Sequence, residues 1–184
     1  MTAVTAEPSP SPAVAPTEAP VVVVMGVSGC GKSTVGLLLA ERLGVPFLEG
    51  DGLHPAANVA KMSAGQPLDD DDRRPWLDLV GQWLAGAAAA GGGVASCSAL
   101  ARRYRDQVRA RCAQAWFLHL DAGRDLVVQR VTERPGHFMP SSLVDSQLAT
   151  LQPLGTDEAG FAVGAGLPPE QIVAAALAAL TSPR

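Results

Sequence analysis

The residues with the most chemistry in this sequence stand in one stretch, Gly26-Val27-Ser28-Gly29-Cys30-Gly31-Lys32-Ser33, followed by Thr34. The spacing G-x-x-x-x-G-K-[ST] is that of a phosphate cradle. Its glycines let the backbone wrap with N–H groups aimed at phosphate oxygens, and the following helix N-terminus adds a favourable dipole. Within it Lys32 is expected to bridge the β and γ phosphates of ATP, and Ser33 to ligate Mg²⁺. Further along, Glu49-Gly50-Asp51 supplies two carboxylates. Asp51 is suited to orient or deprotonate an attacking hydroxyl and Glu49 to hold Mg²⁺ waters, the plain alternative being a pair of turn acids. His54 follows beside Pro55, where a lone histidine serves equally as a packing residue or a substrate contact. Phe117-Leu118-His119-Leu120-Asp121 has the outline of a strand ending in a metal-binding acid, but Asp after a short apolar strand is common turn punctuation, and Asp121 is read so. A phosphate cradle alone does not name a reaction. The Asn-Lys-x-Asp base-reading motif of a GTPase is absent from the sequence, which sets switch proteins aside.

These groups need a scaffold that gathers separate strand ends. Residues 21–24 are a β-branched run, and the stripe Val35, Leu38, Leu39 and Leu43 makes 33–43 helical, so the cradle lies between strand and helix as its motif requires. Residues 46–49 read as a second strand and 55–62 as a short helix, with Pro55 in a first turn that does not need its missing N–H. The acids at 69–72 open a helix with the stripe Trp76, Val80, Trp83, Leu84 and Ala87, and favour its positive dipole end. After the Gly91-Gly92-Gly93 breaker come strand 94–97, helix 100–111, strand 115–120, helix 125–133, a Pro-Gly break, helix 141–151, strand 161–163 and helix 168–180. This alternation predicts an α/β fold, a parallel sheet with helices on both faces and ligand-facing residues at the strands' carboxyl ends.

At 184 residues, 47% hydrophobic and 17% charged, the chain predicts one globular domain over residues 20–184. Residues 1–19, rich in Pro and Ala and lacking the basic and apolar segments of a signal or transit peptide, read as a disordered tail. The net charge of −4 and the lack of a basic stripe with interleaved aromatics argue against nucleic acid as a partner, and leave small anions. No apolar run reaches the roughly eighteen residues of a membrane helix. Cys30, Cys97 and Cys112 are an odd set without framework spacing, so a reducing compartment, the cytoplasm, is expected. At a helix N-terminus beside Lys32, Cys30 is expected either to be a reactive thiol of lowered pKa, with Cys97 near it on the same sheet face, or to fill a small-residue slot.

The chain resembles the gluconate kinase family through segments a phosphate cradle does not predict. They are Gly50-Asp51-Gly52-Leu53-His54-Pro55 with Asn58 and Lys61-Met62, then Pro67-Leu68-Asp69-Asp70-Asp71-Asp72-Arg73-Arg74-Pro75-Trp76-Leu77, then Cys97-Ser98-Ala99-Leu100 with Tyr104-Arg105-Asp106. Arg134-Pro135-Gly136-His137-Phe138-Met139 looks like the family's lid. The resemblance implies a P-loop sandwich with a parallel five-stranded sheet, of the shikimate-kinase and nucleoside-monophosphate-kinase type, with a lid around 130–140. It implies transfer of phosphate from ATP, with Mg²⁺, to the 6-hydroxyl of D-gluconate, in a homodimer. By position Asp51 would orient the hydroxyl, His54, Lys61, Arg73, Ser98 and Arg105 would line the sugar-acid pocket, and Arg130 and Arg134 would be lid cations. Arg102, Arg103, Arg109 and Arg111 are read as a solvated helix face.

Departures from the family pattern qualify this. Ala101 stands where relatives usually have Lys, which puts one anion contact in doubt unless Arg102 reaches in. Asp69 replaces the usual Asn or Thr and can still cap a helix. Val163-Gly164-Ala165-Gly166 lacks the usual acid near the end of its strand, leaving the adenine side open. A kinase of another small hydroxy acid such as shikimate, or a nucleotide-binding regulatory protein without catalysis, are the competing readings.

Overall fold

The computed structural model describes residues 20–133 and 141–182. Five strands, β1 (Val21–Met25), β2 (Phe47–Glu49), β3 (Gly93–Ser96), β4 (Trp116–Asp121) and β5 (Gly160–Gly164), form a sheet in the order β2-β3-β1-β4-β5. Every neighbouring pair is parallel, so all five carboxyl ends lie along one rim. The connecting helices are α1 (Lys32–Leu43), α2 (Ala56–Ser63), α3 (Asp70–Ala89), α4 (Arg102–Arg111), α5 (Arg124–Glu133), α6 (Ser141–Thr150) and α7 (Pro169–Thr181).

The central strand explains the layering. All five residues of β1 are buried, as a parallel strand covered on both faces must be. Their side chains alternate between two cores: Val22 and Val24 pack with Leu39 and Ile172, while Val21, Val23 and Met25 pack with Trp76, Leu84 and Val108. The expected five-stranded parallel α/β sheet is therefore present. Its element ends shift locally. The fourth helix begins at Arg102 rather than at 100, because Ala99 takes φ 42° and Leu100 and Ala101 are drawn into the core before the helix starts. Pro55 is the residue before α2 rather than in its first turn.

Asp69 caps α3 as expected. Its Oδ1 accepts the Asp72 N–H at 2.9 Å, and Asp72 Oδ2 accepts the Asp69 N–H at 3.0 Å, a reciprocal box that satisfies two otherwise unpaired donors. The acidic run does more than face a dipole. Asp70 accepts from Arg103 and from the Tyr104 hydroxyl, and Asp72 accepts from Lys61, so the start of α3 is tied to α4 and α2.

Candidate active site

The cradle is set by backbone geometry. Gly26 takes φ 138°, and a Cβ there would lie 2.8 Å from the Leu120 carbonyl and 2.9 Å from Cys30 Sγ, so only glycine fits. The first intrahelical bond of α1 runs from the Val35 N–H to the Gly31 carbonyl at 3.0 Å. The N–H groups of Gly31, Lys32, Ser33 and Thr34 thus precede any helical acceptor, and their residues all line one cavity. Lys32 is buried, and its Nζ donates to the Val27 carbonyl at 3.1 Å, curled over the loop. Arg130 reaches across from α5, donating from Nη1 to the Cys30 carbonyl at 2.9 Å and from Nη2 to the Ala165 carbonyl at 2.8 Å. It joins the cradle to the loop after β5.

A second rim is built at the end of β2. Ser96 Oγ, on the neighbouring strand, donates to Glu49 Oε1 and accepts the Gly50 N–H at 3.1 Å, while Trp76 Nε1 donates to the Gly50 carbonyl at 2.7 Å. Any side chain at Gly50 would run into the Ser96 carbonyl. These contacts fold Gly50–Leu53 into a 3-10 turn that carries Asp51 into the open. His54 stacks on Trp76, with ring centroids 4.1 Å apart and planes inclined by 19°. Asn58 Nδ2 donates to the Asp72 carbonyl at 2.7 Å, which orients the amide, and lies 3.4 Å from His54 Nδ1. With Nδ1 accepting, a neutral His54 carries its proton on Nε2. Burial lowers the His54 pKa below the ordinary imidazole value; the Asp51 carboxylate opposes that and the Arg73 cation adds to it.

Two cavities open on this rim. One, of about 600 Å³, is lined by the cradle together with Glu49, Arg130, Ala165, Leu167 and Ile172. The other, of about 430 Å³, is lined by His54, Arg73, Trp76, Ser98 and, from α6, Leu143, Ser146 and Gln147. They share Ser28, Lys32 and Asp51. A cation and a carboxylate therefore stand where the cavities meet, as transfer of an anionic group between two ligands demands. The Ser33 hydroxyl and the Glu49 carboxylate both line the larger cavity, and among the described residues no three His, Cys, Asp or Glu side chains cluster as a metal cage. That sparse oxygen set fits Mg²⁺, which keeps several waters and takes further ligands from phosphates.

Comparison with known proteins decides the family. The shikimate kinase family model matches residues 28–179. A gluconokinase of Gluconobacter oxydans is 56% identical over 137 residues, covering 74% of this chain and 77% of that protein. The crystal structure of a gluconokinase from Sinorhizobium meliloti superposes with a TM-score of 0.81 at 46% identity, covering 89% of this chain and 92% of that one. A sugar kinase from Janibacter superposes with a TM-score of 0.83 at 44% identity, covering 88% and 94%. The chain belongs to the gluconokinase family. It is a kinase of the shikimate-kinase-like P-loop fold.

Most of the residues that the family resemblance pointed to come together on this rim, and two do not. Asp51, His54, Arg73 and Ser98 share the smaller cavity. Arg105 does not reach it. Its side chain is fully buried, with Nε and Nη2 each 2.7 Å from the Glu158 carboxylate and the remaining N–H groups on the carbonyls of Ala99, Leu100, Gln152 and Pro153. No donor is left for a substrate, so Arg105 is a brace in this gluconokinase-family chain. Lys61 donates to both Asp72 oxygens at 2.7 Å and lines neither cavity. Arg134 and most of the expected lid lie outside the described residues. Asp121 is the last residue of β4 and lines neither cavity.

Other expectations are corrected. Arg109 is not part of a solvated face: it pairs with Glu158 and Asp106 and lies 4.9 Å over the Phe117 ring. Arg102 does not replace the missing lysine, because Nη2 is held by Asp157 at 2.6 Å, and Ala101 itself is fully buried. Cys30 and Cys97 belong to cores on opposite sheet faces, not the same one. Burial pushes the Cys30 thiol up, outweighing Lys32 and Arg130, and pushes Cys97 up to about 12. Cys30 is buried with its Sγ against Gly26, which favours the small-slot expectation over a reactive thiolate. Sequence reasoning missed the α6 wall and Glu158.

Glu158 carries a stability prediction. Burial alone would raise its pKa, but the Arg105 fork, the Gly155 N–H and Arg109 together outweigh burial and hold it at about 2. Glu158→Ala strands a buried guanidinium and is expected to destabilise the fold by about 3–5 kcal/mol in urea unfolding at pH 7. Because the folded pKa is depressed, the Glu158 contribution is present above the ordinary carboxylate value and is lost as pH falls through that value towards about 2. A loss below about 1 kcal/mol, the range of exposed ion pairs, would contradict this account.

Proposed function

We propose that this chain transfers the γ-phosphoryl group of ATP to the 6-hydroxyl of D-gluconate, giving 6-phospho-D-gluconate. The observation that carries the reading is the junction of the two cavities at Ser28, Lys32 and Asp51. ATP occupies the larger cavity, its phosphates on the cradle N–H groups and Lys32, and its base end toward Leu167 and Ile172. Bound Mg²⁺, held by Ser33 and through water by Glu49, offsets phosphate charge. Gluconate occupies the smaller cavity. Arg73 suits its carboxylate: Nη2 is used by the Leu68 carbonyl at 3.0 Å, but Nε is buried without a partner among the described residues. Asp51 faces both ligands and serves to orient the attacking hydroxyl and accept its proton. His54 supplies a neutral Nε2–H, and Ser98 a hydroxyl. Arg130, and Arg134 from the lid, add positive charge around the transferring group. We also assign the protein to the cytoplasm, from its three cysteines without framework spacing, and to a homodimer, from the family resemblance. Among the described residues no helix is long and apolar enough to cross a membrane.

The test is ATP turnover against gluconate, other aldonates and shikimate, with a no-acceptor control. Gluconate is expected to give the highest kcat/KM by at least about tenfold, the scale of one well-placed polar contact. Faster turnover with shikimate would replace the substrate, and turnover independent of any acceptor would replace the reaction.

A further inference from the structure

Gln147 lies on α6, 119 positions from Ser28, yet its Oε1 accepts the Ser28 N–H at 2.7 Å. A backbone N–H can only donate, so the amide oxygen must face the cradle and Nε2 must face away from it. Among the described residues Nε2 has no hydrogen-bond partner, and Gln147 lines the smaller cavity but not the larger one. Its anchor fixes where that donor sits. Ser28 belongs to the junction of the two cavities, so the Gln147 amide lies at the transfer end of the acceptor cavity. Arg124 on α5 donates to Asp145 on α6 at 2.7 Å, so the helices on either side of residues 134–140 hold the cradle together, Arg130 at the Cys30 carbonyl and Gln147 at the Ser28 N–H.

We propose that Gln147 is a specificity-determining residue for the acceptor, its Nε2 donating to polyol oxygens next to the hydroxyl that receives the phosphoryl group. The inference rests on the reading of the smaller cavity as the gluconate site. A neutral head with two donors suits hydroxyl oxygens, whereas the cation Arg73 suits the carboxylate, so the two residues read opposite ends of one polyhydroxy acid.

Gln147→Leu removes both donors, and Gln147→Glu removes them while keeping an oxygen for the Ser28 N–H. Each is expected to raise the gluconate KM by about tenfold or more, with the ATP KM within about twofold and the melting temperature unchanged for Gln147→Glu. The decisive measurement is the kcat/KM preference for gluconate over its 4-deoxy or 5-deoxy analogue. For one of the two it should fall in Gln147→Leu by the same factor, because the analogue already lacks the bond the variant deletes. Should Gln147→Leu be too unstable to assay, the same ratio in Gln147→Glu decides. An unaltered gluconate KM, or an equal loss on gluconate and on both deoxy analogues, overturns the proposal and leaves Gln147 as a clamp on the cradle. If the unaltered enzyme does not phosphorylate gluconate, the functional reading falls and takes this inference with it; turnover by the wild type with indifferent variants overturns this inference alone.

Discussion

Lys32→Ala is expected to lower kinase turnover by about 10²-fold or more while leaving the fold in place. Lys32 is buried where the two cavities meet, and among the described residues its Nζ is held only by the Val27 carbonyl. On the proposed reading a cation in that position meets the transferring phosphoryl group, and its burial limits screening by water. Single electrostatic groups of this kind are worth about 2.7–4 kcal/mol in other enzymes. Stability should not follow. Lys32 forms no ion pair among the described residues, and Ala is the better helix former at the first position of α1. A coupled assay beside thermal unfolding checks both halves. Near wild-type turnover would mean that the cradle does not hold the reacting phosphates.

Asp51→Asn should reduce kcat by about 10²–10⁴-fold, the range of general acid–base contributions, with MgATP affinity measured by direct binding nearly unchanged. The side chain is exposed on the 3-10 turn and makes no hydrogen bond or ion pair among the described residues, so its carboxylate does not hold the turn together. That work falls to the Gly50 carbonyl and N–H, gripped by Trp76 and Ser96. Asn keeps the volume and removes the basicity, which isolates the chemical role. A second consequence has a definite sign. Asp51 is the group that raises the His54 pKa against burial, so the substitution pushes that imidazole further toward its neutral form. An Asp51→Asn enzyme with normal turnover would exclude this acid from orienting or deprotonating the hydroxyl.

Local features were legible in the sequence because they depend on neighbours along the chain. The cradle needs eight consecutive residues and the strand and helix beside them; the β-branched run of β1, the stripe of α1 and the Asp69 cap all declare themselves within a few positions. Asp51 and the Ser33–Lys32 pair could be assigned to chemistry for the same reason. Tertiary structure decided what depends on partners far away. Sequence gave no means to tell that Arg105 is consumed by Glu158, 53 positions on, rather than offered to a substrate, since an arginine on a helix reads alike in either role. The faces of Cys30 and Cys97 turn on the parity of side chains along two strands and the turns after them, and a shift of one residue inverts the answer. Gln147 was silent because a polar residue on a short helix looks solvated until packing sets that helix against a loop 119 positions earlier. Periodicity reports which face of an element is buried; which groups meet across the sheet's rim is set by how the elements pack.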